Sequence, residues 1–156
     1  MILRTVTGDV DPGSMGITLP HEHVLCDSRV WLQEPKDATG RRFASAEPDM
    51  ANLWWMRQFP NTNSAVLVLD DEELAVTELQ AFAGAGGSTV VELTPRGLGR
   101  DVEALARIAG LTGLHIVAGT GYYVAASHPP SIKTSSVEQL AEHMVAELQV
   151  GIDATG

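Results

Sequence analysis

Hydrophobic positions become regular from residue 65 onward. Two short runs, STVVEL and LHIVAGTG, are apolar and rich in β-branched residues, as buried parallel strands are. Three longer segments around them, residues 70–87, 99–113 and 135–151, repeat apolar residues at helical spacing. The two runs begin about 25 residues apart, close to the size of one βαβ unit. This order predicts an α/β chain with a parallel sheet.

Each predicted helix has a start signal and one apolar face. The first begins with acidic residues and ends in glycines, the second takes Asp101 as N-cap, and in the third Ser135 and Glu138 have capping-box spacing. The residues expected to face the core are Leu74, Leu79, Phe82 and Ala83 in the first helix; Val102, Leu105, Ala106, Ile108 and Ala109 in the second; and Val137, Leu140, Ala141, Met144, Val145 and Leu148 in the third.

The first half of the chain is less regular. Residues 2–18 alternate loosely and contain Asp11-Pro12-Gly13, which predicts a short β-hairpin before a strand that ends at Leu25. Residues 26–64 show no sustained period and are predicted to be a long loop between strand 1 and helix 1. Such a loop is either functional or poorly ordered, and its three tryptophans argue against disorder.

Two of the five histidines, His21 and His23, lie at the end of the apolar stretch GITLPHEHVL. Side chains two positions apart on a strand share a face, so both imidazoles are expected on one side, with Glu22 opposite. Two imidazole nitrogens on one rigid strand suit zinc or another borderline divalent metal. On spacing alone, two exposed or hydrogen-bonded histidines beside a loop are the commoner outcome.

Longer stretches carry a family resemblance. GITLPHEHVL resembles the first-strand motif of the phosphotriesterase family, in the amidohydrolase superfamily. STVVELTPRGLGRDVEALARIAGLTGLHIVAGTGYY is similar to that family's second strand, second helix and third strand, and SVEQLAEHMVAELQVGIDATG to the segment before its fourth strand. The resemblance covers almost the whole of residues 1–156 and is weakest in residues 26–64. It implies one domain, the N-terminal part of a TIM-like (β/α)8 barrel, with about three of the eight βα units present and the site at the C-terminal ends of the strands.

The resemblance also implies an activity. Members are metal-dependent hydrolases in which a metal-bound hydroxide attacks a phosphotriester, a lactone or a related ester. His21 and His23 would bind one metal of a binuclear site, with zinc as the expected ion, and Tyr123 would line the substrate pocket. The bridging lysine or glutamate, two further histidines and an aspartate belong to later strands of the family, and no catalytic base can be assigned here. Lys36 and Lys133 fall in loops.

A catalytic metal takes about three protein ligands plus a water, and the resemblance supplies two. A non-catalytic α/β fragment or binding module without turnover is therefore the alternative to an enzyme.

Other polar residues have structural explanations. Glu92 could support a ligand, but burial with a hydrogen-bond partner is the expectation. Cys26 is expected to be a small buried hydrophobe rather than a reactive thiol. His115 starts a strand, away from the expected site, and is expected to be structural. Tyr122 is as compatible with packing as with substrate contact.

Two more histidines and two glycines complete the candidates. His128 lies in a loop and His143 beside a helix stripe, so both are expected at the surface. Gly97 and Gly99 suggest a dinucleotide-binding turn, but Val102 occupies its third glycine position and no acidic residue ends the following strand. A tight strand-to-helix turn explains the two glycines better.

Composition restricts the classes of partner that the protein can be expected to bind. A net charge of −10 disfavours nucleic acid, and no apolar run approaches the roughly 18 residues of a membrane helix. One cysteine permits no internal disulfide, and the N-terminus does not resemble a signal peptide, so a reducing cytoplasm is expected. The expected partners are a small-molecule ester and, since three strands leave an open edge, a second copy or a missing C-terminal part.

Overall fold

The computed structural model describes residues 2–153 and residue 155. They divide into two compact units, one formed by the described residues up to 25 and from 71 onward, the other by Cys26–Asp70. In chain order the strands and α-helices are β1 (Leu3–Thr5), β2 (Gly8–Val10), β3 (Ile17–Glu22), β4 (Cys26–Asp27), α1 (Ala38–Ala44), α2 (Leu53–Gln58), β5 (Val68–Leu69), α3 (Glu72–Gly84), β6 (Gly87–Glu92), α4 (Val102–Thr112), β7 (His115–Ala118) and α5 (Val137–Val150).

The larger unit opens with the predicted hairpin, in which β1 and β2 pair antiparallel. Its turn lies at residues 6–7 rather than at Asp11-Pro12-Gly13. Those three residues begin a short 3-10 helix, where the Asp11 side chain accepts the Gly13 N–H at 2.7 Å. Proline suits the first position of such a helix because its missing N–H has no partner to lose.

A parallel sheet organises the larger unit, with strand order β3-β6-β7. Helix α3 connects β3 to β6 and α4 connects β6 to β7, so the predicted α/β order is confirmed. Leu19 of β3 lies opposite Val90 of β6, which lies opposite Ile116 of β7. The first of these strands ends at Glu22, three residues earlier than predicted.

The core lies between this sheet and the helices α3 and α4. Four fully buried side chains form its centre: Val90, Leu105, Ile108 and Ile116. Each such side chain stabilises the fold by roughly 1.5–3 kcal/mol relative to exposure. The predicted inner face of α4 is confirmed, and Ala104 joins it.

The predicted faces of the other two helices need correction. Helix α3 packs Ala75, Val76, Leu79, Phe82 and Ala83 against the core, whereas Leu74 is exposed because it lies on the other side of the helix.

Helix α5 takes its N-cap one residue later than predicted, since Ser136 and Gln139 form the capping box. Its predicted inner face is mostly exposed, including Val137, Val145 and Leu148. A helical period shows that a helix is amphipathic but does not say what covers its apolar side.

The smaller unit, Cys26–Asp70, contains strands and helices that the hydrophobic pattern did not predict. β4 pairs antiparallel with β5, and α1 and α2 lie between them in the chain. The buried Asn63 side chain donates to the backbone oxygens of Phe43 and Ala46 at 2.7 and 2.8 Å. An aromatic cluster packs around these helices: Phe43, Trp54, Trp55 and Phe59. Cys26 is buried, as predicted.

No helix in the described part of the chain combines the length and the apolar character needed to cross a membrane.

Candidate metal centre

His21 and His23 lie together at the carboxyl end of β3. His21 is the last residue but one of the strand, and His23 is the first after Glu22 ends it. Both side chains are exposed, and their ring centroids are 5.8 Å apart in an edge-to-face arrangement. The pairing of β3 with β6 is irregular between Leu19 and Glu22, a feature that re-aims side chains where strands end. The structure therefore places the two imidazoles side by side.

The ring of His23 is held from the neighbouring strand. Its Nδ1 lies 2.8 Å from the hydroxyl oxygen of Thr94, which follows the end of β6 and is fully buried. This contact occupies one ring nitrogen of His23 and leaves Nε2 for another partner.

Glu92, the last residue of β6, lies behind Thr94. Its carboxylate is fully buried and accepts three hydrogen bonds: from the Thr94 hydroxyl, from the Thr94 N–H at 3.1 Å and from the Val24 N–H at 3.4 Å. Burial raises the pKa of Glu92, against the lowering effect of these hydrogen bonds and of Arg100. The predicted burial of Glu92 with a hydrogen-bond partner is confirmed.

Sequence reasoning missed Thr94. Its signal was the spacing of Glu92 and Thr94, two polar residues at positions i and i+2 at the end of an apolar strand, where side chains two positions apart share a face.

The donor set fits part of a metal site. Neutral imidazole nitrogens suit zinc and related divalent ions, and His21 and His23 offer two of them on adjacent rings. Within residues 2–153 and 155, however, no three or more histidine, cysteine, aspartate or glutamate side chains gather where they could bind a metal ion. Their proximity is thus established, and their role as metal ligands stays a prediction.

The tyrosines lie beyond the strand that was expected to carry them. β7 ends at Ala118, and Tyr122 and Tyr123 belong to the loop that follows, after Gly121 with its positive φ of 98°. Tyr122 is half-buried and meets the ring of His128 edge to face at 6.1 Å. Tyr123 is 58% exposed, and substrate contact by Tyr123 stays a prediction.

A buried ion pair lies at the carboxyl end of β7. Arg100, just before α4, contacts Glu147 of α5 at 2.5 Å and donates to the Gly119 carbonyl at 3.0 Å. The Thr120 hydroxyl also donates to Glu147. Burial alone would raise the pKa of Glu147, but the Arg100 and Thr120 hydrogen bonds outweigh it and hold the pKa below its ordinary value. The sequence signal was the position of Glu147 in the helical period. It lies seven residues after Leu140 and therefore on the same side of α5.

The loops that follow β6 and β7 also meet. A Cβ added to Gly97 would lie 1.8 Å from the backbone oxygen of Ser127, so only glycine permits this approach. Gly99 ends the short 3-10 helix with a φ of 82°. Both glycines therefore have structural reasons, as the strand-to-helix interpretation requires.

A cavity of about 270 Å³ lies between β1, β7 and the end of α5, and His21 and His23 are not among the residues that line it. Glu147 and Leu148 are among the residues that line it.

Comparison with known proteins gives a family match over residues 1–156, to the model described as "Phosphotriesterase family". A phosphotriesterase-related protein of Nematostella vectensis is 40% identical over 97% of this chain. The N-acetyltaurine hydrolase of Rattus norvegicus is 40% identical over 98%. The chain spans 44% of the length of each of these relatives.

Two solved structures give the same picture. A resiniferatoxin-binding protein from Rhodobacter sphaeroides superposes with a TM-score of 0.95 at 38% identity, covering 99% of this chain and 43% of that protein. A mutant of organophosphorus hydrolase superposes with a TM-score of 0.65 at 26% identity, covering 99% and 40%. The three parallel strands and their helices are thus part of the TIM-like barrel found in these proteins.

Proposed function

The chain belongs to the phosphotriesterase family of hydrolases, and on that premise we propose that it supplies the first two metal ligands of a metal-dependent hydrolase site. The observation that carries the proposal is the adjacency of the His21 and His23 rings at the carboxyl end of β3. In barrels of this kind, catalytic groups come from the carboxyl ends of the strands.

The proposed roles follow from what each residue can reach. His21 and His23 hold a divalent metal, with zinc as the proposed ion. A metal held by these two residues would supply Lewis-acid chemistry for a substrate oxygen and for a water molecule. Tyr123, exposed in the loop after β7, contacts the substrate. The further ligands of a complete binuclear site are proposed to come from outside the described residues, because the relatives are more than twice as long.

The proposed substrate is a small ester, either a phosphotriester, a lactone or a related compound. A second candidate is an N-acyl amide, because several of the similar proteins are named N-acetyltaurine hydrolases. We also propose that the protein works in the reducing cytoplasm, which its single cysteine supports. The resiniferatoxin-binding relative favours the remaining alternative, a small-molecule binding module without turnover.

Metal stoichiometry tests the ligand assignment. Because two imidazoles hold zinc weakly, binding is measured by equilibrium dialysis at zinc concentrations that saturate the parent chain, followed by elemental analysis. Replacing His21 and His23 together by asparagine keeps polarity and removes both imidazoles, so we expect the bound zinc to fall to background. The control is His115→Asn at the start of β7, the opposite end of the sheet, which should leave the zinc content unchanged. Equal zinc in the double variant and the parent chain would refute the assignment.

A further inference from the structure

We propose that Thr94 and Glu92 are positioning residues that fix His23 in the tautomer with its proton on Nδ1, leaving Nε2 unprotonated as the metal-binding nitrogen. The proposal rests on the proposed metal-binding role of His23. Neutral imidazole has two tautomers, and only the nitrogen without a proton can bind a metal. The choice of tautomer therefore decides which ring nitrogen is available.

The direction of the hydrogen bonds determines the tautomer. The Val24 N–H and the Thr94 N–H can only donate, so both oxygens of Glu92 act as acceptors. As an ionised carboxylate, Glu92 has no proton to give, so the single proton of the Thr94 hydroxyl goes to Glu92. The same hydroxyl oxygen must then accept at its other contact, 2.8 Å away at His23 Nδ1. The proton of the neutral ring consequently lies on Nδ1.

The groups that impose this direction are rigid. Glu92 and Thr94 are fully buried, and the backbone beside them is tied to β3, where the Leu93 N–H donates to the Glu22 carbonyl at 2.9 Å. The exposed ring of His23 is thus oriented by a buried support from the next strand. Hydrogen bonds to the second nitrogen of metal-binding histidines fix ring orientation, and losing one typically lowers metal affinity about 10–100-fold.

Nitrogen NMR reads the tautomer directly, without metal and without turnover. The chain has five histidines, so selective ¹⁵N labelling gives few signals, and a His23→Asn sample assigns the one in question. In mildly alkaline buffer we expect His23 of the parent chain to show a protonated Nδ1 and a bare Nε2. Thr94→Val should abolish this single-tautomer pattern, and Thr94→Ser should restore it.

Thr89→Val is the matched control. Thr89 is also a fully buried threonine of β6, and its hydroxyl donates to the Met15 carbonyl at 2.7 Å, away from His23. This variant loses a comparable hydrogen bond, so a general loosening of the sheet would affect both valine variants. We expect the His23 pattern to survive in Thr89→Val.

Glu92→Gln should reverse the direction of the chain of hydrogen bonds. The backbone N–H of Thr94 favours the amide oxygen on its side, which turns the amide nitrogen towards the Thr94 hydroxyl. The hydroxyl then accepts from this amide nitrogen and donates to His23 Nδ1, which moves the ring proton to Nε2. A merely structural role of Glu92 predicts loss of the single-tautomer pattern. It does not predict that the ring proton moves from Nδ1 to Nε2.

Zinc titration completes the test. We expect Thr94→Val to weaken zinc binding about 10–100-fold and Thr94→Ser and Thr89→Val to stay near the parent value. An unchanged His23 tautomer in Thr94→Val, or a parent chain with the proton on Nε2, would overturn the positioning role even if zinc binds. The expected tautomer in a chain that binds no zinc would support the positioning role and refute the proposed function instead.

Discussion

Among single residues, exposure separates the two tyrosines in the loop after β7. Tyr122 is half-buried and packs against the ring of His128, whereas Tyr123 is 58% exposed. A side chain that contacts substrate must be accessible, and shortening it should cost the fold little. Exposure of this kind is what a substrate-contacting role for Tyr123 requires.

Tyr123→Ala should therefore change the free energy of unfolding by no more than about 0.5–1 kcal/mol. In an assembly of this chain that turns over substrate, the same change should alter the ratio of kcat/KM between an aryl phosphotriester and a lactone. Tyr122→Ala is the comparison and should mainly lower thermal stability, because it removes a packed ring. If Tyr123→Ala lowers Tm and leaves the ratio of rates intact, Tyr123 is a packing residue.

Among secondary-structure elements, the Arg100–Glu147 pair joins the start of α4 to α5 and to the end of β7. Both side chains are nearly inaccessible, at 2% and 6% exposure. Removing Arg100 takes away the buried positive charge and leaves Glu147 with the Thr120 hydroxyl and the His143 ring as neighbours. Arg100→Met should destabilise the protein by about 3–5 kcal/mol, measured by denaturant unfolding.

The surface pair of Arg107 and Glu72 gives the matched control. Its charged ends are 2.6 Å apart but both side chains are exposed, so Arg107→Met should leave the free energy of unfolding nearly unchanged. Acid provides a second measurement. Because the pKa of Glu147 is lowered in the folded state, its contribution is present above the ordinary glutamate value and is lost as pH falls through the folded-state pKa. Glu147→Gln should remove that part of the acid dependence of unfolding.

Glycine positions test how the loops are packed. Gly97→Ala should destabilise the protein clearly, because its Cβ would overlap the Ser127 backbone oxygen. Gly110, inside α4, has open space around it, and Gly110→Ala should stabilise by about 0.5–1 kcal/mol through helix propensity. Thermal melts of the two variants would contradict this account if they shifted in the same direction.

The extent to which the sequence predicted these elements depends on how local their determinants are. Asp101 was identified as an N-cap because its partner, Ala104, is three residues away. The adjacent serines 135 and 136 both had capping-box spacing, so only the structure distinguished them.

The contacts of the candidate site could not be predicted, because the residues that form them lie far apart in the sequence. Thr94 contacts His23 across two strands, and Arg100 contacts Glu147 from the loop before α4, so neither pair leaves a periodic pattern in the sequence.

For the whole molecule, α5 carries apolar side chains that the described residues leave largely exposed. They include Leu148, at 63% exposure, which also lines the cavity beside β1 and β7. Exposed apolar residues grouped on one helix face favour association. We therefore propose that the chain of 156 residues pairs through this side of the molecule, with a second copy or with a further part of the barrel.

Sedimentation should show the 156-residue chain as an associated species. Leu148→Glu should weaken the association, whereas Leu111→Glu, which changes an equally exposed leucine on α4, should not.

With zinc, manganese or cobalt added, we expect negligible turnover of a lactone, an aryl phosphotriester or N-acetyltaurine, since two imidazoles hold a metal weakly. Metal-dependent turnover that His21→Asn abolishes would instead show that this chain is a sufficient enzyme.

The hydrogen bond between His23 and Thr94 also has a consequence for folding. It joins residues 71 positions apart, so it forms only after β3 and β6 have paired across the intervening chain. Closing a loop of that length is slow compared with local structure formation. Until then, His23 samples both tautomers in water. We therefore expect metal uptake to follow the pairing of these strands, so that zinc leaves the refolding rate unchanged and only slows unfolding.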